Sequence, residues 1–252
     1  ATEALHQSIR RLYADIDTRA KTLVEQGKLQ EARDLYSNVV SWKRTEFPTQ
    51  AGQAITNIDS LVAKQKRAAI REANEAFQKL VNEVMGQLAA RKYDDAESTL
   101  ADAKASPTFT PVRDKVHELL EIVRGAEDFL ASAGIGASKL KPGQPVSLGG
   151  VSGQFVRFSE NKIWLRSGVV DFARSLRELK PRELLELAVS GHGGNTELIT
   201  TSVALFLLAD GDPEAARRGL EAARAKGQDV KAVLGLIERY GGQGQPSERA
   251  KQ

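Results

Sequence analysis

The residues best suited to contact a ligand lie in the middle of the chain, where aromatic and basic side chains interleave. They are Arg157, Phe158, Lys162, Trp164 and Arg166. Aromatic rings can stack on bases and cationic side chains can neutralise phosphates, so this composition is typical of a nucleic-acid-binding surface. In the other interpretation the segment packs one face against helices and its charged face is only solvated. We favour the second interpretation, because so small a sheet needs a helix to cover it.

A second candidate is the glycine-rich loop formed by Gly191, His192, Gly193 and Gly194, which directly precedes a helical pattern. Such a loop can offer backbone N–H groups to a phosphate. However, no Lys followed by Ser or Thr stands in the order of a phosphate-binding P-loop, and the segment before the loop is helical rather than extended. The pattern therefore favours a connection in which Gly191 ends one helix and Asn195 or Thr196 begins the next.

Other residue types that carry chemistry are sparse. The chain has no cysteine, which excludes disulfides, thiolate zinc sites and cysteine nucleophiles. Of its three histidines, His6 and His117 lie in charged helical stretches with no partner carboxylate or second histidine at ligand spacing, and His192 belongs to the glycine-rich loop. Neither a nucleophile elbow nor a zinc-protease or kinase signature occurs. We therefore predict no catalytic residues, no metal and no cofactor, and a protein that is not an enzyme.

Composition sets the broad class. Of the 252 residues, 41% are hydrophobic and 27% are charged, which is typical of a globular protein. The sequence contains no run of about 18 apolar residues, the length that a membrane-spanning helix needs. The net charge is only +3, yet residues 137–182 hold nine basic and three acidic side chains. A cysteine-free chain suits the cytoplasm and extracytoplasmic compartments alike, so the localisation stays open, as does the oligomeric state.

A short β unit is predicted where these basic residues lie. Turn residues, β-branched residues and period-2 alternation occur together from Lys139 to Val170. The pattern indicates a strand over 145–148, two strands that flank residues 159–161, and a fourth over 169–173. In outline this unit resembles small SH3-like or Sm-like β units.

Helical periodicity extends along the chain on both sides of the β unit. Apolar residues recur at steps of three and four from Glu3 to Glu25, from Leu29 onward, and over about 51–91. The third of these helices is long for a globular protein, so we expect it either to project as the arm of a helical hairpin or to be kinked. Phe47 and Pro48 are expected to stop the second helix. Further helices are predicted over 93–105, 111–133, 181–190, 196–209, 213–225 and 230–240.

One pattern occurs three times, beginning at Gly27, Arg91 and Gly211. In each copy an alanine is followed four residues later by a bulky residue and seven residues later by a small or β-branched one. The members are Ala32, Tyr36 and Val39; Ala96, Leu100 and Ala103; Ala216, Leu220 and Ala223. A small alanine lets two helices approach closely, and the residue one turn later fills the groove between them.

This pattern resembles the second half of a tetratricopeptide repeat (TPR). The spacing between copies is irregular and the family's first-helix signature is missing, so the resemblance implies TPR-like hairpins rather than a regular superhelix. What it further implies is a non-catalytic scaffold or protein-binding role.

The sequence thus predicts a mainly α protein in which long antiparallel helical hairpins (1–133) and a TPR-like C-terminal bundle (174–240) are joined by a small antiparallel β unit (134–173), with a disordered tail (241–252). We expect a non-enzymatic scaffold or protein-protein interaction module that binds a protein partner. A nucleic-acid-binding module that uses the basic aromatic β unit is the alternative. Because the chain opens inside a helical pattern without an initiating Met, we expect it to be a portion of a larger bacterial-type protein.

Overall fold

A computed structural model of the chain describes residues 2–42 and 45–242. This part of the chain forms nine α-helices, four β-strands and three short 3-10 helices. The helices are α1 (Thr2–Glu25), α2 (Leu29–Val40), α3 (Phe47–Ala89), α4 (Tyr93–Ala105), α5 (Arg113–Ser138), α6 (Pro181–Gly191), α7 (Thr200–Ala209), α8 (Pro213–Ala225) and α9 (Lys231–Tyr240). The strands are β1 (Pro145–Leu148), β2 (Val151–Ser159), β3 (Lys162–Ser167) and β4 (Val170–Ser175). The 3-10 helices cover Pro107–Val112, Leu176–Glu178 and Glu197–Ile199.

The predicted fold class, mainly α with a small antiparallel β unit, is confirmed. Two details of the prediction were wrong. Phe47 and Pro48 do not stop α2, which already ends at Val40; they are the first residues of α3, where a proline is tolerated because its missing N–H would have no helical partner. In addition, the helix predicted to end at residue 133 continues to Ser138 as α5.

The chain contacts divide into two compact units, residues 1–72 and 73–252. The first unit contains α1, α2 and the beginning of α3. Its core is formed by buried aliphatic and aromatic side chains, and the partly buried Tyr13 stacks on Phe47 of this core with ring centroids 4.4 Å apart. The hydroxyl of Tyr36 donates a hydrogen bond of 2.7 Å to Asp17 at the edge of this core. The division into domains at residues 133 and 173 stays a prediction, and the tail predicted to be disordered lies outside the described residues beyond residue 242.

Helix α3 is one continuous helix of 43 residues, with no non-helical residue inside it. Every residue from 59 to 72 is exposed to solvent. Its apolar positions before and after this stretch, such as Ile58 and Ala73, are buried in the cores of the two units.

Helix α5 is the central element of the second unit, because α4, α6, α7 and the sheet all pack against it. Three of its glycines make these approaches possible. A methyl group at Gly125 would overlap the side chain of Leu205 on α7, and one at Gly136 would overlap the backbone carbonyl of Leu187 on α6. Gly134 lies beneath Phe158 of the sheet, whose ring would be 3.4 Å from an added Cβ.

The four strands form an antiparallel meander in the order β1-β2-β3-β4. The face turned toward the helices carries Phe155, Ile163 and Leu165, which are buried in the core of the second unit. The sheet lies between α5 and α6 in the sequence, and these two helices also contact each other directly. The sheet is therefore one part of a shared core.

The three copies of the hairpin pattern have the same local geometry. Each turn has one residue with positive φ, namely Gly27 (+76°), Arg91 (+55°) and Gly211 (+86°). In each, the N–H of the following residue donates to the carbonyl five positions back, at 2.8, 2.9 and 2.8 Å. The nine pattern residues of α2, α4 and α8 are all buried. The pattern thus identifies three equivalent helical hairpins, while the wider resemblance to tetratricopeptide repeats stays a prediction.

Candidate binding sites

A β-bulge decides which side chains of the central segment lie together. The register between β2 and β3 shifts after Phe155, so that Arg157 pairs with Trp164 and Phe158 pairs with Ile163. Residues paired across antiparallel strands share a face. Arg157 therefore lies on the outer face with Trp164, although simple alternation from Phe155 would place it on the inner face.

The outer face carries four of the five residues predicted as a binding surface. The guanidinium carbon of Arg157 lies 4.8 Å from the centroid of the Trp164 ring, a cation–π contact that holds the two side chains together. Lys162 is exposed two pairs further along the strands, where it pairs with Ser159 on the same face. These three side chains offer a flat ring and two positive charges to the solvent.

Arg166 is also on this face, but its charge is already compensated. It donates two hydrogen bonds to the carboxylate of Asp171, at 2.6 and 2.9 Å. The hydrogen bond from Arg166 lowers the pKa of Asp171 below its usual value, and both side chains are exposed to solvent. Arg166 therefore contributes less positive potential to the outer face than Arg157 and Lys162.

Phe158 is separated from the other four residues. It lies on the inner face against Gly134 of α5 and packs onto the hydrophobic core. Its ring is therefore used in packing and does not join Trp164 in a stacking surface.

The glycine-rich loop after α6 uses its backbone donors locally. The N–H groups of His192, Gly193 and Gly194 donate to carbonyls of the last turn of α6, at 2.9 to 3.2 Å. Gly191 is buried, and an added methyl there would lie 2.7 Å from the backbone N of Gly136. The loop thus caps α6 at its C-terminus and leaves these three N–H groups unavailable to an anion.

The remaining histidines do not form a metal site. His6 and His117 are exposed, and Nε2 of His117 lies 3.6 Å from Glu121 one helical turn away. Among the described residues no group of three or more potential ligands is placed to hold a metal ion. Within the same ranges, no helix has the length and apolar character needed to cross a membrane.

Two grooves between paired helices were missed in the sequence. The larger, of about 360 Å³, lies between α4 and α5 and has a floor of Leu100, Val116 and Leu120. The smaller, of about 230 Å³, lies between α7 and α8 and is lined by aliphatic residues of both helices. Helical periodicity identifies which side chains face a neighbouring helix, but it does not show where two packed helices leave space between them.

The rim of the α4–α5 groove is charged. Lys104, Arg113 and Arg124 lie around it and form no ion pair with the described part of the chain, and Glu97 and Asp114 also line it. This groove therefore combines an apolar floor with a mixed, mainly basic rim.

Arg91 was noted in the sequence only as the first residue of one copy of the hairpin pattern, and its side-chain contacts were not predicted. Its guanidinium pairs with Asp210 through two hydrogen bonds, at 2.7 and 3.0 Å, and donates to the backbone carbonyls of Arg177 and Leu179. Arg91 and Asp210 belong to the turns of two of the three hairpins. One signal was available in the sequence, because Arg91 stands where the other two copies have glycine.

Tyr93, the first residue of α4, is fully buried, and its hydroxyl has no hydrogen-bond partner in the described ranges. Burial raises the pKa of Tyr93 to about 12 from its usual value of 10.0. Because the pKa of Tyr93 is higher in the folded than in the unfolded state, deprotonation of its hydroxyl destabilises the folded state. The free energy of unfolding is therefore unaffected below pH 10 and falls as the pH rises toward 12.

We expect the free energy of unfolding to fall between pH 10 and 12 by about 2 kcal/mol more in the wild type than in Tyr93→Phe. The measurement is urea unfolding over this pH range. The variant is a matched control, because it loses only a hydroxyl that has no partner, and the other tyrosines titrate equally in both proteins. If the free energy of unfolding fell equally with pH in the two proteins, the raised pKa assigned to Tyr93 would be wrong.

Comparison of the chain with protein-family models, with curated proteins and with solved structures finds no match. The function must therefore be inferred from the geometry of the chain itself.

Proposed function

We propose that this chain is a non-enzymatic scaffold or protein-protein interaction module. Three TPR-like hairpins would provide its framework, and a protein partner would dock on the surface between paired helices. The observation that carries the proposal is the groove between α4 and α5, with its apolar floor and exposed rim.

The size and chemistry of the groove support a peptide segment as its occupant. Its volume of about 360 Å³ lies at the lower end of the range for ligand-binding clefts. The floor of Leu100, Val116 and Leu120 can accept apolar side chains, while the rim can orient them by hydrogen bonds and charge. Helical faces and the grooves between them are a common mode of peptide recognition.

The test is to select a displayed random peptide library on the intact chain and to measure the affinity of the enriched peptides. Ala101 is exposed and lines the groove, so Ala101→Arg would fill it without disturbing the core. We expect this substitution to weaken the enriched peptides about tenfold or more, because the occupant and the new side chain compete for the same space.

The matched control is Ala63→Arg, the same substitution at an exposed position of α3. It should leave the peptide affinity unchanged. Failure to enrich any peptide, or equal binding to both variants, would contradict the proposal. A catalytic turnover that belongs to the purified chain and is lost with a single substitution in it would contradict the non-enzymatic assignment.

Nucleic-acid binding by the outer face of the sheet is the second candidate, and the contact between Arg157 and Trp164 beside Lys162 favours it. Its test is fluorescence anisotropy of single-stranded and duplex oligonucleotides at low and moderate salt. Binding should weaken steeply with salt and be lost in the double variant Arg157→Ala/Lys162→Ala. Arg166→Ala is the control, because Arg166 is paired with Asp171 and should matter less. Absence of binding at low salt would exclude this candidate.

A further inference from the structure

A small cavity, distinct from the helix grooves, lies where α4, α5, the β2–β3 turn and the 3-10 helix Leu176–Glu178 meet. Its volume is about 160 Å³. Tyr93, Glu127, Asn161 and Arg177 provide its polar lining. Leu130, Ala131 and Leu176 provide its apolar lining. The cavity thus has a polar part and an apolar part.

Three of the polar groups have hydrogen-bond acceptors that the described part of the chain does not use. The hydroxyl of Tyr93 is fully buried without a partner. The half-buried carboxylate of Glu127 and the side-chain amide of Asn161 also make no hydrogen bond within these ranges. A buried hydroxyl without a partner is costly, so a ligand that donates a hydrogen bond to it would gain affinity.

The charge around the cavity is predominantly negative. The one lining cation, Arg177, is 3.0 Å from the carboxylate of Asp94, and its guanidinium carbon lies 5.5 Å from the centre of the Tyr93 ring. Burial, followed by the neighbouring charges of Glu97 and Asp94, raises the pKa of Glu127 above its ordinary value. A positive charge in the cavity would therefore be favourable, since Arg177 is already paired.

We propose that this cavity binds an alkylammonium group. An ammonium has three N–H donors and no acceptor, which matches the three unused acceptors of Glu127, Tyr93 and Asn161. The methylenes of the ligand would lie against Leu130, Ala131 and Leu176. Since water occupies about 30 Å³ per molecule in the liquid, the cavity has room for roughly five non-hydrogen atoms, the size of n-butylammonium or of the end of a lysine side chain.

This inference does not depend on the α4–α5 groove, because none of its acceptors lines that groove. The ligand could be a free amine or a lysine side chain of a protein partner, and both have the same ammonium chemistry. The two sources are distinguished by the probes.

The test is calorimetric titration of the full chain with n-butylammonium chloride, with n-butanol as the neutral analogue and butyrate as the anionic one. We expect saturable binding of the ammonium alone. Tyr93→Phe and Glu127→Gln should each weaken it about tenfold or more, because each removes a hydrogen bond to a charged group. The side-chain amide resonance of Asn161 should shift on binding, which places the ligand in this cavity.

The charge-matched control is Glu121→Gln, on the same helix but outside the cavity lining, and it should retain wild-type affinity. Tyr93→Phe keeps the packing of the ring, so a folded variant that no longer binds separates ligand loss from unfolding. Binding of n-butanol as tight as that of the ammonium, no saturable ammonium binding, or unchanged affinity in Glu127→Gln would overturn the proposal.

A second titration with the blocked peptide acetyl-Gly-Lys-Gly-amide identifies the source. Binding at least as tight as that of n-butylammonium would support a partner's lysine side chain. Binding of n-butylammonium without binding of the peptide would support a free amine. Because the peptide library is tested through Ala101→Arg, failure of that experiment leaves this titration interpretable, and the reverse also holds.

Discussion

Replacing Arg91 by alanine is expected to lower the free energy of unfolding by about 3 kcal/mol or more. The ion pair between Arg91 and Asp210 is largely buried, with side-chain exposures of 14% and 18%. Removing the guanidinium leaves the Asp210 carboxylate without its partner, and it also removes the donor to the carbonyls of Arg177 and Leu179. The measurement is chemical denaturation at neutral pH.

The matched control for this prediction is Arg91→Gly. Residue 91 has a φ of +55°, which costs alanine about 1 kcal/mol and glycine much less. If the side-chain contacts dominate, both variants should be strongly destabilised, with glycine the milder by about 1 kcal/mol. A double-mutant cycle with Asp210→Ala would give the energy of the pair itself. Equal stability of wild type and Arg91→Gly would contradict the prediction, because the lost side-chain contacts would then be worth only the backbone strain that glycine relieves, about 1 kcal/mol.

The second large effect is expected at Gly136, where alanine should destabilise the protein by about 3 kcal/mol or more. The added methyl would overlap the backbone carbonyl of Leu187, and a backbone group cannot move aside as a flexible side chain can. The clash would therefore separate α5 from α6. The change is measured as a shift in the denaturation midpoint.

Gly86→Ala provides the control within a helix. Gly86 is exposed in α3, and an added Cβ would meet no atom within 4 Å. This substitution should stabilise the protein by up to about 1 kcal/mol, because alanine favours the helical conformation more than glycine does. If Gly136→Ala behaved like Gly86→Ala, the close approach of α5 and α6 would not exist in solution.

Much of the fold was accessible from the sequence because its signals are local. Helical periodicity located α4 and α8 at their observed ends, and alternation with turn residues located β1. The three-copy pattern identified side chains that are all buried, since a small alanine at a helix contact is a local requirement of packing. The proline at position 48 was misinterpreted because it can either end a helix or begin one.

The candidate sites depended on contacts that no local pattern contains. The bulge after Phe155 reverses the face of every later residue of β2, which moves Arg157 beside Trp164 and turns Phe158 toward α5. The glycine-rich loop resembled an anion site in composition, yet its N–H groups are used by the carbonyls that end α6. In both cases the residue types are visible in the sequence, whereas the hydrogen bonds of the backbone decide which side chains share a face and which N–H groups already have an acceptor.

The amino-acid sequence by itself determined the helices, the strands, the hairpin turns and the absence of cysteine chemistry. Only the tertiary structure decided what these elements place together. Arg91 and Asp210 are 119 residues apart, and Tyr93 and Arg177 come from elements on opposite sides of the sheet in the chain. Periodicity reports which face of an element is buried. Partners and cavities arise from how separate elements pack, which is why the cavity beside Tyr93 could not be found in the sequence.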